Sequence, residues 1–300
     1  MTINIEEMYE CRVLLVGASG QVGWELQRTK PSSIGLLPLG HNDLDITNIN
    51  DIISYVEYFK PDYIINAAAY TNVDGAETNA DKAFAINQDG AANCAIVSRQ
   101  LGIQLLHIST DFVFNGTQSY PYLTDSEVSP ISVYGASKAS AERRILDILD
   151  SNALILRTSW VYSAHGNNFV KTMLRLMKDG SSLNVIGDQI GSPTWANGLA
   201  NAIWSAIRLQ DFRGIQHWSD SGIASWYDFA VAIQEEAIKL ELLDKEIPIK
   251  MIRTCDYSSR AKRPKYSVLD KTNSYNKLWE AKHWRVALRA MLFDLLNNMT

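Results

Sequence analysis

The sequence predicts an α/β fold, a doubly wound parallel sheet followed by a smaller, mainly helical C-terminal domain. Three observations predict it. Short apolar, β-branched runs alternate with helical patterns through the first half, which implies a parallel sheet with helices on both faces. A glycine-rich turn joins the first of these runs to the first helical pattern. Beyond about residue 160, Gly, Asn, Pro and Trp interrupt the pattern more often and helices dominate.

Val13-Leu14-Leu15-Val16 reads as a buried strand. It runs into Gly17-Ala18-Ser19-Gly20-Gln21-Val22-Gly23, and Trp24-Glu25-Leu26-Gln27 then reads as helix. Strand, glycine turn and helix in that order is the setting a dinucleotide fingerprint requires. Glycines permit the tight turn and let the backbone approach a pyrophosphate at the helix N-terminus. The spacing is G-x-x-G-x-x-G rather than G-x-G-x-x-G, and the first domain is predicted to be Rossmann-type. Next come a strand over 35–39, a helix over 50–59 and a strand over 63–66. A long helix over 80–101, a strand over 104–108, a helix over 134–149 and a strand over 153–157 follow. Further helices open at Phe169, run over 226–243 and close the chain over 285–296. The expected division is 1–160 for the nucleotide-binding domain and 161–300 for mainly the substrate domain, with some later segments returning to the first. No repeat or low-complexity linker separates them, so the two are expected to pack as one unit.

Two further features carry chemistry. Ser109-Thr110-Asp111-Phe112 follows an apolar run, and a hydroxyl at the C-terminal end of a parallel strand points into the crevice where open α/β sheets bind ligands. A helix cap or turn is the bland alternative for such a segment. Tyr134 and Lys138 stand four apart, on one face of the predicted helix. An ordinary phenol has a pKa of about 10, and a neighbouring cation brings it down towards the working range. Tyr and Lys at this spacing are common on solvated faces, but here they follow a cofactor turn and a strand-end hydroxyl.

Composition excludes several classes. Nearly half of the 300 residues are apolar, enough for a large core. A net charge of −5 gives no global electrostatic case for nucleic acid or an anionic membrane. Cys11, Cys94 and Cys255 lack C-x-x-C spacing and read as reduced thiols in a cytoplasmic protein, with neither a disulfide frame nor a zinc site. No apolar stretch approaches the ~20 residues of a membrane span. Met1 to Glu10 carries acidic residues and no long apolar region, which argues against a signal peptide.

Glycine turn, strand-end hydroxyl and Tyr-x-x-x-Lys, in that order, resemble the extended short-chain dehydrogenase/reductase family. Other segments sharpen the resemblance to the dTDP-4-dehydrorhamnose reductases within it. They include Asn66-Ala67-Ala68-Ala69-Tyr70-Thr71-Asn72-Val73-Asp74, Ser109 to Gly116, Arg157-Thr158-Ser159-Trp160-Val161-Tyr162 and Asn167-Asn168-Phe169-Val170. Asp188-Gln189-Ile190-Gly191-Ser192-Pro193-Thr194, Ser225-Trp226-Tyr227-Asp228-Phe229-Ala230 and Arg263-Pro264-Lys265-Tyr266-Ser267-Val268-Leu269 continue it, so it spans nearly the whole chain from Arg12. The resemblance implies hydride transfer from NADP(H) or NAD(H) to the C4 keto carbon of dTDP-4-dehydro-β-L-rhamnose, the last step of dTDP-L-rhamnose synthesis for cell-surface polysaccharide.

On that resemblance Thr110, Tyr134 and Lys138 are catalytic: Thr110 and Tyr134 bond the carbonyl oxygen, and Tyr134 gives it the proton. Lys138 binds the nicotinamide ribose and holds down the Tyr134 pKa. Cofactor contacts fall on Gly17, Ser19, Gly20, Gln21, Val22, Gly23, His41, Asp45, Ile46, Ala67, Ala68 and Ala69, with Tyr134 and Lys138. Substrate contacts fall on Thr71, Val73, Asp74, Thr110, Asp111, Trp160 and Arg263. Arg263 lies in the densest basic cluster, 260–265, and a guanidinium grips phosphate bidentately.

Two positions depart from expectation. The second strand ends Leu39-Gly40-His41-Asn42 and the first acid is Asp43, so nothing repels an adenosine 2′-phosphate and no Arg grips it. Some relatives form a metal-bridged dimer through glutamates. Glu25 fits one such position, but Asn197 stands where another is needed, so no metal is expected and a homodimer stays open. Two other functions compete. A nucleotide-sugar epimerase or dehydratase is disfavoured because Asp111 lacks the following Glu of dehydratases. A non-catalytic regulatory subunit, like that of methionine adenosyltransferase, is disfavoured by the intact Thr110, Tyr134 and Lys138.

Overall fold

The computed structural model describes residues 9–209 and 211–297. Up to residue 8, the segment for which the sequence predicts no signal peptide lies outside the described residues. The chain begins with β1 (Cys11–Val16), whose residues Val13, Leu14 and Leu15 are wholly buried. Then follow α1 (Gln21–Arg28), β2 (Ile34–Leu39), α2 (Ile49–Phe59) and β3 (Tyr63–Asn66). The short α3 (Val73–Ala76) leads into α4 (Ala80–Phe84) and α5 (Gly90–Leu101), and then β4 (Gln104–Thr110), α6 (Val133–Leu149) and β5 (Leu154–Thr158).

These strands form one parallel sheet in the order β5-β4-β3-β1-β2. After β1 the chain turns outward to β2, then crosses back to place β3 on the other side. The loops after β1 and β3 therefore diverge and open a crevice at the carboxyl ends of the strands. Alternate residues feed opposite faces. Leu14, Val16, Ile64 and Ile155 pack under α2, α5 and α6, while Val13, Leu15, Ile65 and Leu156 pack under α1 and a later helix. Each such buried aliphatic side chain stabilises the fold by roughly 1.5–3 kcal/mol relative to leaving it in water.

The helix predicted over 80–101 is interrupted. Residues 85–89 form a π-helical turn between α4 and α5. Buried Asn87 sits in that turn, accepts from Tyr70 N at 2.7 Å and donates to Ser137 Oγ at 2.8 Å. Those bonds to α6 and the loop after β3 offset the poorer local geometry.

The second half holds more strand than its sequence suggests. It contains β6 (Val161–Tyr162), α7 (Phe169–Asp179), β7 (Leu183–Ile186), β8 (Ile190–Gly191), β9 (Thr194–Trp195) and α8 (Ala196–Arg208). β10 (Gly214–His217), β11 (Ala224–Ser225), α9 (Trp226–Lys239), β12 (Ile249–Ile252), α10 (Thr272–Tyr275) and α11 (Trp284–Asn297) complete it. Strands of two to four residues are too short to show alternation, which is why a mainly helical second half was expected. β10 joins the main sheet beside β5, and α8 supplies Leu199, Ile203 and Trp204 to the core beside α1. The helix expected over 226–243 ends at Lys239; Glu241 turns left-handed at φ 58°, and Leu242 and Leu243 fold into a third core. That core joins α7, α9 and α11 through Val170, Phe229, Ile233 and Leu288. Among the described residues no helix is long and apolar enough to cross a membrane.

Candidate active site

A cleft of about 1170 Å³ opens at the carboxyl ends of β1, β3, β4 and β5, between the main sheet and the α7–α9–α11 core. On the sheet side it begins with the turn after β1. Gly17 has φ 84°, and a Cβ there would meet Ala68 N at 2.5 Å. Only a glycine fits both the left-handed backbone and that close approach. Gly20 caps α1 without a side-chain bond, so the first N–H groups of the helix face the cleft. A carbon at Gly23 would run into Gly17 O and Ala18, so this glycine seats α1 against the turn and does not line the cleft. Ser19, Gly20, Gln21, Val22, His41, Asp45, Ile46 and Ala67, Ala68 and Ala69 line the same wall. Backbone and hydroxyl bonds from Thr47 hold the Asp45 carboxyl below its usual range. Asp43 turns back to accept from Gly40 N at 2.8 Å. This half of the cleft fits a dinucleotide, because a glycine cradle and free helix N–H groups lie at the point where the strand order reverses.

Thr110 ends β4, two residues later than the strand end predicted from sequence. Its hydroxyl donates to Asp111 Oδ1 at 3.1 Å and accepts from Phe112 N. Tyr134 stands in the first turn of α6, whose N-terminus is fixed by Ser132 Oγ accepting from Gly135 N and by Glu77 Oε1 accepting from Val133 N. The Phe112 ring packs edge-on against Tyr134 at 5.7 Å. Burial pushes the Tyr134 phenol up to about 12; the Thr110 hydroxyl opposes this and the Asp111 carboxyl adds to it. Asp111 is itself pushed up to about 7 by burial.

The sequence predicts a phenol depressed by its lysine neighbour, and the structure corrects this. Lys138 is 2% exposed and its Nζ turns to the strand, donating to Ile108 O at 2.7 Å and to His107 Nε2 at 3.0 Å. Burial brings the Lys138 ammonium down to about 8, and Glu142 opposes that shift. Desolvation therefore dominates both members of the pair.

Thr71, Val73, Trp160 and Arg263 also line the cleft. Asp74 does not; it binds Arg263, whose Nη2 donates to Asp74 Oδ2 at 2.5 Å. That bond keeps the Asp74 carboxyl below its usual range and aims Arg263 along the rim. Trp160 has φ 47°, a left-handed backbone that a bulky residue rarely adopts, at a cost of roughly 1–3 kcal/mol. Its ring stacks on Trp226 at 3.5 Å and 3°, and its carbonyl accepts from Thr194 N.

Sequence reasoning assigned no site role to Trp226, Phe169, Asn168 or Gln189, which form the wall facing the sheet. Asn168 caps α7 and also donates to Gln21 Oε1 at 2.9 Å, tying the two walls together. Each lies in a segment that carries the family resemblance, but their approach to Trp160 depends on how distant elements pack. Glu25 is wholly buried. It pairs with Arg28 at 3.0 Å and accepts from Ser163 Oγ and Asn197 Nδ2 at 3.0 Å each. The position weighed as a bridging ligand thus serves as an internal junction between α1, α8 and the loop after β6. Among the described residues no group of three or more His, Cys, Asp or Glu is placed to hold a metal.

A family model described as RmlD substrate binding domain matches residues 11–297. The chain is 40% identical over 287 residues to the spore coat polysaccharide biosynthesis protein SpsK of Bacillus subtilis (strain 168), covering 94% of this chain and 96% of that one. It is 41% identical over 271 residues to a dTDP-4-dehydrorhamnose reductase of Aggregatibacter actinomycetemcomitans, covering 87% and 91%. The crystal structure of a dTDP-4-dehydrorhamnose reductase from Bacillus anthracis str. Ames in complex with NADP matches with a TM-score of 0.88 at 36% identity, covering 95% and 99%. The chain belongs to the RmlD family.

Proposed function

We infer that this protein is an NAD(P)H-dependent dTDP-4-dehydrorhamnose reductase, reducing the C4 keto group of dTDP-4-dehydro-β-L-rhamnose to give dTDP-L-rhamnose. The observation that carries the reading is the opening of Gly17, Thr110 and Tyr134 into one cleft. A cofactor cradle and a proton donor therefore face the same space. Three related enzymes or homologues point the same way: a reductase of this name, a relative solved with NADP and a protein of polysaccharide biosynthesis.

When bound, the reduced nicotinamide supplies the hydride, which goes to the keto carbon. The chain does the rest. Its glycine turn and the N-terminus of α1 hold the pyrophosphate. Thr110 and Tyr134 hydroxyls donate to the substrate carbonyl oxygen, and Tyr134 gives up its proton as the alkoxide develops. A phenol held at about 12 stays protonated across neutral pH, so the donor form is always present. Lys138 binds the nicotinamide ribose on releasing the Ile108 carbonyl. Arg263, steadied by Asp74, meets the substrate diphosphate, and Trp160 on its Trp226 support lies against the substrate. Thr71, Val73 and Asp111 complete the substrate surface. The product feeds synthesis of a cell-surface polysaccharide. Cytoplasmic residence is supported by Cys11, Cys94 and Cys255, all unpaired.

The test supplies enzymatically made dTDP-4-dehydro-β-L-rhamnose with NADPH and follows loss of reduced-cofactor absorbance. Turnover with dTDP-L-rhamnose as product is expected, and the same keto sugar without its nucleotide should react far more slowly, since remote binding energy positions the carbonyl. An inert dTDP-sugar, or equal reduction without the nucleotide, overturns the reading.

A further inference from the structure

Directly behind the reacting groups lies an ion pair that the reduction does not use. Tyr134, Lys138 and Glu142 follow one another at four-residue spacing along one face of α6. Glu142 and Arg157 are 3% and 1% exposed. Arg157 holds the carboxylate with both Nη2 and Nε, at 2.6 Å to Oε2 and 2.9 Å to Oε1. Ser109, next to Thr110, donates its hydroxyl to Glu142 Oε1 at 2.5 Å. The sheet register explains the meeting, because Ser109 on β4 lies opposite Arg157 on β5. One carboxylate thus joins the helix bearing Tyr134 and Lys138 to the end of the strand bearing Thr110.

We propose that the Glu142–Arg157 pair is a positioning element for the reaction, locking α6 to the end of β4 with an anion one turn behind Lys138. The inference rests on the reduction proposed above. A desolvated ion pair is weak evidence for stability alone, since apolar residues of similar size often serve as well. Its place one turn behind a reactive lysine suggests another reason, and charge supplies it. The titratable groups facing Lys138 are Tyr134 and Glu142 from its own helix and His107 from β4, with Asp111 beyond Tyr134. The helix packed on the other side presents the uncharged Asn87–Ser137 bond. Burial holds His107 well below its usual value, so it is neutral. Burial, aided by the Arg157 guanidinium at its Nε2, brings His217 down to about 3, so it is neutral as well. Glu142 is the anion whose field opposes the loss of the Lys138 proton.

The experiment measures kcat/KM for the keto sugar nucleotide against pH at saturating NADPH, in wild type and Glu142→Gln. Folding is checked by circular dichroism, and NADPH affinity by fluorescence. Removing the anion makes Lys138 easier to deprotonate, so the alkaline limb should move to lower pH while NADPH still binds. Glu142→Asp, which keeps the charge, should leave the limb in place even where kcat falls. Glu142→Gln leaves Arg157 buried without its partner, which can prevent folding. The double variant Glu142→Gln/Arg157→Met then carries the test, because neither charge remains; an acid shift smaller than that of the single variant is expected, since the opposing Arg157 cation is lost with the anion. A folded variant lacking Glu142 with a wild-type alkaline limb overturns the proposal. Loss of this proposal leaves the reductase reading intact as long as the wild-type protein turns over the keto sugar nucleotide with NADPH; an inert dTDP-sugar sinks that reading instead.

Discussion

The sheet-side wall of the cleft is made largely of backbone, whereas the wall facing it is made of side chains. After β1 the decisive features are a left-handed φ at Gly17, a carbonyl and a row of helix N–H groups. Across the cleft the features are the Trp160–Trp226 stack, the Phe169 ring and the Asn168 and Gln189 amides. A backbone wall suits a ligand common to many enzymes, since any sequence with the right turn can build it. A side-chain wall can be changed residue by residue, which suits recognition of one particular sugar nucleotide. Between the two stand Thr110, placed by the end of β4, and Tyr134, placed by the first turn of α6.

The sharpest way to separate the walls is to disable the chemistry between them. Tyr134→Phe removes one hydroxyl while keeping the ring that packs against Phe112. Turnover should fall by roughly 100-fold or more, the scale of general acid catalysis. NADPH affinity measured by fluorescence titration should stay close to wild type, because the glycine turn is untouched. Near-normal turnover would remove Tyr134 from the mechanism.

Gly17→Ala attacks the backbone wall alone. The added carbon meets Ala68 N at 2.5 Å and must adopt φ 84°. Such strain costs about 1–3 kcal/mol, and either the turn or the fold must give. The expected result is roughly a 10- to 100-fold loss of NADPH affinity, using a factor of ten per 1.4 kcal/mol. Thermal melting with and without NADPH would separate a damaged site from a damaged fold. Unchanged affinity would show that the cofactor does not depend on this turn.

The same contrast explains what could be read from the chain. Val13 to Val16 and Gly17 to Gly23 were legible because a buried strand, a turn and a helix each leave a local pattern. The parallel sheet and the helix carrying Tyr134 and Lys138 were legible for the same reason. Trp226 was quoted within a family segment but given no site role, because its distance to Trp160 is set by the packing of α9 against β6. β10 escaped notice since Gly214–His217 is four residues long and joins its sheet far from its sequence neighbours. The orientation of Lys138 was misjudged on physical grounds. Four-residue spacing gives a shared face, but burial then turned the ammonium to Ile108 O and His107 rather than to the phenol.

Trp226→Ala tests the side-chain wall. It removes the support of a residue held at φ 47° and takes away a stack of 3.5 Å. Aromatic pairs contribute about 0.5–1.5 kcal/mol beyond their burial, so KM for the sugar nucleotide should rise about 2- to 10-fold. NADPH affinity should not move. A matching loss of NADPH affinity would mean that the two walls are not independent, with Asn168 to Gln21 the bond to suspect.

The smallest effect expected belongs to the one place where side chains do matter on the sheet-side wall. His41 is exposed at the end of β2, and Asp43 beside it is occupied by Gly40 N. No carboxylate therefore stands free there to repel an adenosine 2′-phosphate or to hold ribose hydroxyls, and the relative from Bacillus anthracis was solved with NADP. NADPH should be used in preference to NADH. His41→Asp places an anion near that phosphate in water, where two unit charges 4 Å apart interact by about 1 kcal/mol. The ratio of kcat/KM for NADPH over NADH should fall by about fivefold, and the fall should shrink as salt is added because exposed charges are screened. Turnover with NADH at saturation should stay as it is. A wild-type protein that uses NADH and rejects NADPH would show that Asp45, tied to Thr47 across the same stretch of wall, already does the work assigned here to an absent acid.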